Sequence, residues 1–151
     1  MARGLAGLIG GTAMRNGSGR AAGAIRVLVV DDDAGIRELL RELLIGEGYE
    51  VSEATNGREA LEAARAQPPA AVLMDLMMPI LSGAEATTAL KRDPRTAAIP
   101  VLAMSAGRNL AAVAQGIPAD GFLSKPFNLS NLVSAIRRHT APGGPNATAI
   151  H

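Results

Sequence analysis

Three acids, a hydroxyl and a lysine close short aliphatic runs in this chain, and those residue types suit a divalent cation and a phosphoryl group on a carboxylate. Asp31 and Asp32 follow Ile25-Arg26-Val27-Leu28-Val29-Val30, and Asp75 follows Ala71-Val72-Leu73-Met74. Ser105 ends Ile99-Pro100-Val101-Leu102-Ala103-Met104, and Lys125 follows Gly121-Phe122-Leu123-Ser124. Each run has the look of a buried strand. In a parallel α/β sheet the carboxyl ends of the strands share one edge, where such folds bind ligands. Residues spread over most of the chain are therefore expected to converge.

Strand and helix signals alternate between these positions. After Asp33, an N-cap, the residues Ile36, Leu39, Leu40, Leu43 and Leu44 recur at helical spacing, and Gly46 and Gly48 can end that helix. Tyr49 to Ala54 reads as a strand near an edge, because Glu50 and Glu53 interrupt it. Asn56 caps a helix with Ala60, Leu61 and Ala64 inward, stopped by Pro68-Pro69. Ser82-Gly83-Ala84-Glu85 is a capping box for a third helix ending before Pro94. A short fourth helix is expected over Asn109 to Gln115. The last starts near Asn128 and should bury Leu129, Leu132, Val133 and Ile136. Five near-continuous aliphatic strands alternating with five helices predict an α/β fold: a flavodoxin-like, doubly wound parallel sheet in the order 2-1-3-4-5.

Composition excludes other classes. A chain of 151 residues with 48% hydrophobic and 19% charged residues makes one globular domain. The net charge of +1 provides no long-range field for nucleic acid or an anionic membrane. No apolar run reaches the roughly 18 residues of a membrane span, and the absence of cysteine excludes disulfides, zinc thiolates and thiol catalysis. A cytoplasmic location is expected. Residues 1–24 hold seven of the 17 glycines and no acid, so they read as a flexible tail, as do residues 141–151; the domain is expected over 25–140.

Four motifs carry a family resemblance: Val29-Val30-Asp31-Asp32-Asp33; Leu73-Met74-Asp75-Leu76-Met77-Met78-Pro79 with Gly83 following; Met104-Ser105-Ala106; and Ser124-Lys125-Pro126-Phe127. In this order, at strand ends, they resemble the response-regulator receiver domain of two-component signalling. The resemblance implies that Asp75 is the phosphoacceptor. It implies further that Asp31, Asp32, Asp75 and the backbone carbonyl of Met77 hold Mg²⁺, with Ser105 the switch hydroxyl, Lys125 the phosphate-binding lysine and Phe122 the aromatic switch residue. A histidine kinase or a histidine phosphotransfer protein is the implied donor. Output through a downstream protein, weak self-association and no enzymatic turnover are the further expectations. Ser105 and Lys125 stand 20 positions apart, about two fewer than the family pattern, and Pro118 falls where the fourth helix should lead into strand five.

The chemistry agrees residue by residue. With an ordinary pKa of about 4, Asp75 is ionised at neutral pH and needs no general base to attack phosphorus. Its obstacle is charge, which Mg²⁺ on oxygen ligands and Lys125 can neutralise. Ser105 can donate to a phosphoryl oxygen. Singly, each residue has a plainer reading: solvating or capping acids, a surface lysine, a core phenylalanine. Their joint placement favours the receiver. A non-phosphorylated scaffold of the same fold should lack an acid or the lysine. A flavin binder would want a phosphate-cradling loop after strand one, and Asp31 to Asp33 would repel it. An aspartyl-phosphate phosphatase would want a second acid where Met77 stands. His139 and His151 lie far in sequence from the acids, and the Met77-Met78 pair reads as packing.

Overall fold

Aliphatic strands that are apolar on both faces must be covered on both faces, and the computed structural model shows how this chain does so. The structure describes residues 24–106, 116–126 and 128–140. Among them the elements run β1 (Arg26–Val30), α1 (Ala34–Gly46), β2 (Glu50–Ala54), α2 (Gly57–Ala66), β3 (Ala71–Asp75), α3 (Gly83–Arg92), β4 (Val101–Ala106), β5 (Gly121–Lys125) and α4 (Leu129–Thr140). The five strands form one parallel sheet in the order β2-β1-β3-β4-β5, as expected. Four helices are seen among the described residues rather than five. The helix expected over 109–115 lies outside them, as do the expected tails apart from Ala24.

The pleat divides the core into two layers. Val27 and Val29 of β1, Leu73 of β3, Leu102 and Met104 of β4 and Leu123 of β5 pack with α1 and α4. Leu28, Val30, Val72, Met74 and Val101 face α2 and α3 through Ala60, Ala64, Ala86 and Leu90. The alternation follows from the two-residue period of a strand. On the edge, β2 is only half-buried at Glu50, Val51 and Ser52, which is why it tolerates charge.

Local chemistry starts each helix where the sequence places it. The Asp33 carboxylate accepts from Gly35 N and Ile36 N at 2.8 and 3.2 Å. Asn56 accepts from Glu59 N at 2.9 Å, and Ser82 and Glu85 complete their reciprocal capping box. Each such cap contributes about 1 kcal/mol. Gly48, at φ +96°, takes the left-handed turn that follows α1.

Two leucines expected in the core are not there. Leu39 is 49% exposed, because it sits about 100° around the helix from Leu40 and the sheet covers only the Leu40–Leu44 face. Leu129 is 43% exposed, since the first turn of α4 (Leu129 to Asn131) overhangs the sheet and burial begins at Leu132.

Far from the strand ends that carry the acids, Lys91 ties three segments together. Its ammonium donates to Ala97 O at 3.2 Å and Ile99 O at 2.7 Å and pairs with Asp120 Oδ2 at 2.7 Å. Asp120 Oδ2 also accepts from Val101 N at 2.8 Å, so the start of β4 and the approach to β5 are fixed together.

Candidate functional site

Strand topology alone brings the predicted residues to one edge. Asp75 is the last residue of β3 and Lys125 the last of β5; Ser105 is the penultimate residue of β4, and Asp31 follows β1 directly. Asp31 lies in register with the ladder because its N–H donates to Ala54 O at 3.2 Å. The β3–α3 loop must turn tightly here. A side chain on Gly83 would overlap the backbone of Asp75, so only glycine lets α3 start this close to the end of β3.

Pleat parity then sorts the residues. Asp31, Asp75 and Lys125 continue the face of Val29, Leu73 and Leu123, and they meet. The Lys125 ammonium lies 2.8 Å from Asp31 Oδ2 and 3.3 Å from Asp75 Oδ1. One carboxylate oxygen each of Asp31, Asp32 and Asp75 can be chosen so that all lie within 4.8 Å of one another. Asp31 and Asp75 are buried, whereas Asp32 is exposed. Asp31 Oδ1 accepts from Asp33 N at 2.9 Å, and Asp75 Oδ1 accepts from Met77 N at 3.3 Å. Met77 thus lies with its backbone N–H against the phosphoacceptor candidate while the residue as a whole is 75% exposed.

Ser105 belongs to the other face. It continues Val101 and Ala103, and Phe122 lies on the same side of β5, opposite Ala103 in the register. The Ser105 hydroxyl makes no hydrogen bond to the acids; among the described residues it donates a single long bond, 3.3 Å, to Ala106 O. Phe122 is half-buried. The predicted residues therefore form two groups: acids with lysine, and hydroxyl with aromatic ring.

Charge balance defines what the site can do. Burial first, then the adjacent Asp31 charge, pushes the Asp75 carboxyl above its ordinary range; Lys125 and the Met77 N–H only partly oppose this. Burial pulls the Lys125 ammonium down, but its hydrogen bond to Asp31 and the charges of Asp31 and Asp75 outweigh that and hold it up. Lys125 pairs with two of the three carboxylates, which leaves room for more positive charge. Two oxygens across a Mg²⁺ ion are about 4 Å apart, given bonds of roughly 2.0–2.1 Å. The three oxygens, all within 4.8 Å of one another, lie close to that spacing, so the donor set fits that ion. Sequence reasoning missed Arg37, whose Nη1 donates to the Asp31 carbonyl at 2.8 Å. A lone arginine in a helix carries no local signal of such a contact.

A family model described as the response regulator receiver domain matches residues 27–137. The chain is 39% identical over 123 residues to the response regulator MprA of Mycolicibacterium vanbaalenii, covering 78% of this chain and 52% of that protein. It is 36% identical over 114 residues to the DNA-binding response regulator MtrA of Mycolicibacterium paratuberculosis, covering 74% and 49%. The chain thus spans about half the length of these curated relatives. Among solved structures it is similar to the chemotaxis protein CheY4 of Vibrio cholerae, with a TM-score of 0.71 and 31% identity over 76% of this chain and 98% of that one.

Proposed function

This chain belongs to the response regulator receiver domain family of two-component signalling, and from that premise we propose that Asp75 accepts a phosphoryl group from a histidine kinase or histidine phosphotransfer protein, with Mg²⁺ held by Asp31, Asp32, Asp75 and the Met77 backbone carbonyl. The observation that carries this reading is the meeting of three carboxylates and Lys125 at one end of the sheet. When bound, the ion supplies charge neutralisation between the carboxylates and the phosphoryl oxygens.

The chain's own residues do the rest. Asp75 Oδ1 is occupied by Lys125 and the Met77 N–H, so one carboxylate oxygen remains without a donor among the described residues. A carboxylate oxygen forms the new O–P bond while the N–P bond of the donor phosphohistidine breaks, its electron pair returning to the imidazole. Lys125 is already poised to follow the phosphoryl oxygens. Ser105, whose present acceptor is distant, gains a stronger one, and Phe122 on the same pleat face moves with it, shifting a two-state surface. Signalling is through protein contact. The net charge of +1 gives this sequence no basic field of its own.

Incubation with acetyl phosphate and Mg²⁺, followed by phosphate-affinity electrophoresis, tests the assignment. Wild type is expected to shift and Asp75→Asn to stay unshifted while retaining its fold. Equal labelling of both overturns the role of Asp75.

A further inference from the structure

Asp32 differs from the other two acids. The carboxylates of Asp31 and Asp75 are each held by a backbone N–H and by Lys125. Asp32 is exposed, and its side chain has no hydrogen bond among the described residues. Its direction must come from the backbone. The peptide unit joining Asp31 to Asp32 is planar, so fixing its carbonyl oxygen fixes the plane from which the Cα of Asp32 departs. That oxygen is the one that accepts from Arg37 Nη1 at 2.8 Å.

Arg37 is itself anchored. Its Nε donates to Glu53 Oε1 at 3.2 Å, and Glu53 Oε2 pairs with Arg41 Nε at 3.4 Å. Arg37 stands in the first turn of α1, and Glu53 on the edge strand β2, in register with Val29 of β1. One guanidinium therefore joins a helix, an edge strand and the acidic loop, with only 17% of its side chain exposed. A lysine could serve one of these acceptors; the planar fork serves both.

Resting on the metal site proposed above, we infer that Arg37 is a positioning residue for Mg²⁺: through the Asp31 carbonyl it aims the Asp32 carboxylate toward Asp31 and Asp75. Glu53 decides the sign of the effect. A guanidinium free to turn toward three carboxylates would compete with the incoming cation. Held by Glu53, it donates to a neutral carbonyl instead, and the acids keep their charge for the metal. Loss of Glu53 and loss of Arg37 then weaken the metal by different routes, one by a misdirected charge and one by an unaimed ligand.

The test uses Mg²⁺ alone as the probe on the full chain, by calorimetric titration and by thermal shift against Mg²⁺ concentration. Arg37→Gln is expected to weaken Mg²⁺ binding about tenfold or more, as changes to groups that orient metal ligands do. Glu53→Gln weakens it in the same direction. Arg41→Gln removes the other, 42% exposed arginine on Glu53 without touching Asp31, and should stay within about twofold of wild type, as exposed ion pairs do. An unchanged Mg²⁺ affinity in Arg37→Gln overturns the positioning role, and so does an equal loss in Arg41→Gln. Should Arg37→Gln fail to fold, unchanged affinity in Glu53→Gln overturns it. A wild type with no response to Mg²⁺ removes the metal site itself.

Discussion

Replacing Lys125 by methionine keeps most of the unbranched stem and deletes the cation that faces two buried acids. Asp31 and Asp75 are 1% and 4% exposed, and the ammonium sits 2.8 and 3.3 Å from them. Removing one partner of a buried pair costs about 3–5 kcal/mol. Lys125 is 19% exposed and the Asp75 carboxyl is already biased toward protonation, so the lower end applies, about 3 kcal/mol without metal. For a domain of this size that lowers Tm by roughly 10 °C. Metal affinity should move the opposite way. An ion bound on these carboxylates lies on the order of 5 Å from the ammonium, and even bulk-water screening leaves about 1.7 kcal/mol of repulsion on a divalent cation. Lys125→Met should therefore bind Mg²⁺ at least about tenfold more tightly, and Mg²⁺ should restore more stability to the variant than it adds to wild type. Calorimetric titration and chemical denaturation, each with and without Mg²⁺, read both effects. A variant that binds Mg²⁺ no better than wild type would refute the view that lysine and metal compete for the same acids.

Three further outcomes are expected. The Asp75 carboxyl is raised above its ordinary 3.8, so the native state holds a proton that the unfolded chain gives up; this group's contribution to stability falls as pH rises through that window. In chelator, Asp75→Asn should gain on wild type as pH climbs from below 3.8 to neutrality, and a pH-independent gap in denaturation midpoints would oppose this. Ile80 is a β-branched residue at φ +70° and is 72% exposed, so Ile80→Asn should stabilise the fold by about 1 kcal/mol, and a loss of stability in urea would contradict the strain argument. The Thr87 hydroxyl is fully buried in α3 with no hydrogen-bond partner among the described residues, so the near-isosteric Thr87→Val should add about 1 kcal/mol, and a lowered Tm would show that the hydroxyl is satisfied after all.

Much of this molecule could be read along the chain because the interactions concerned are short in sequence. The caps at Asp33, Asn56 and Ser82 act over two or three residues, and the structure contains all three. Polar residues ending aliphatic runs mark strand ends, and a parallel sheet places those ends on one edge whatever the packing. That is why Asp31, Asp75, Ser105 and Lys125 could be gathered from sequence. Which of them touch was not legible. Every residue of β3 is buried, so its hydrophobicity does not alternate and carries no record of which face each side chain takes. Only the assembled sheet puts Asp75 with Asp31 and Lys125, and Ser105 with Phe122. The contacts of Arg37 with the Asp31 carbonyl and Glu53, and of Lys91 with Asp120, depend on how helices lie across the sheet, and a charged residue on a helix looks the same whether its partner is solvent or a distant strand. Leu39 makes the same point: its spacing fits an apolar stripe, yet the width of the face that the sheet covers decides that it stays in water.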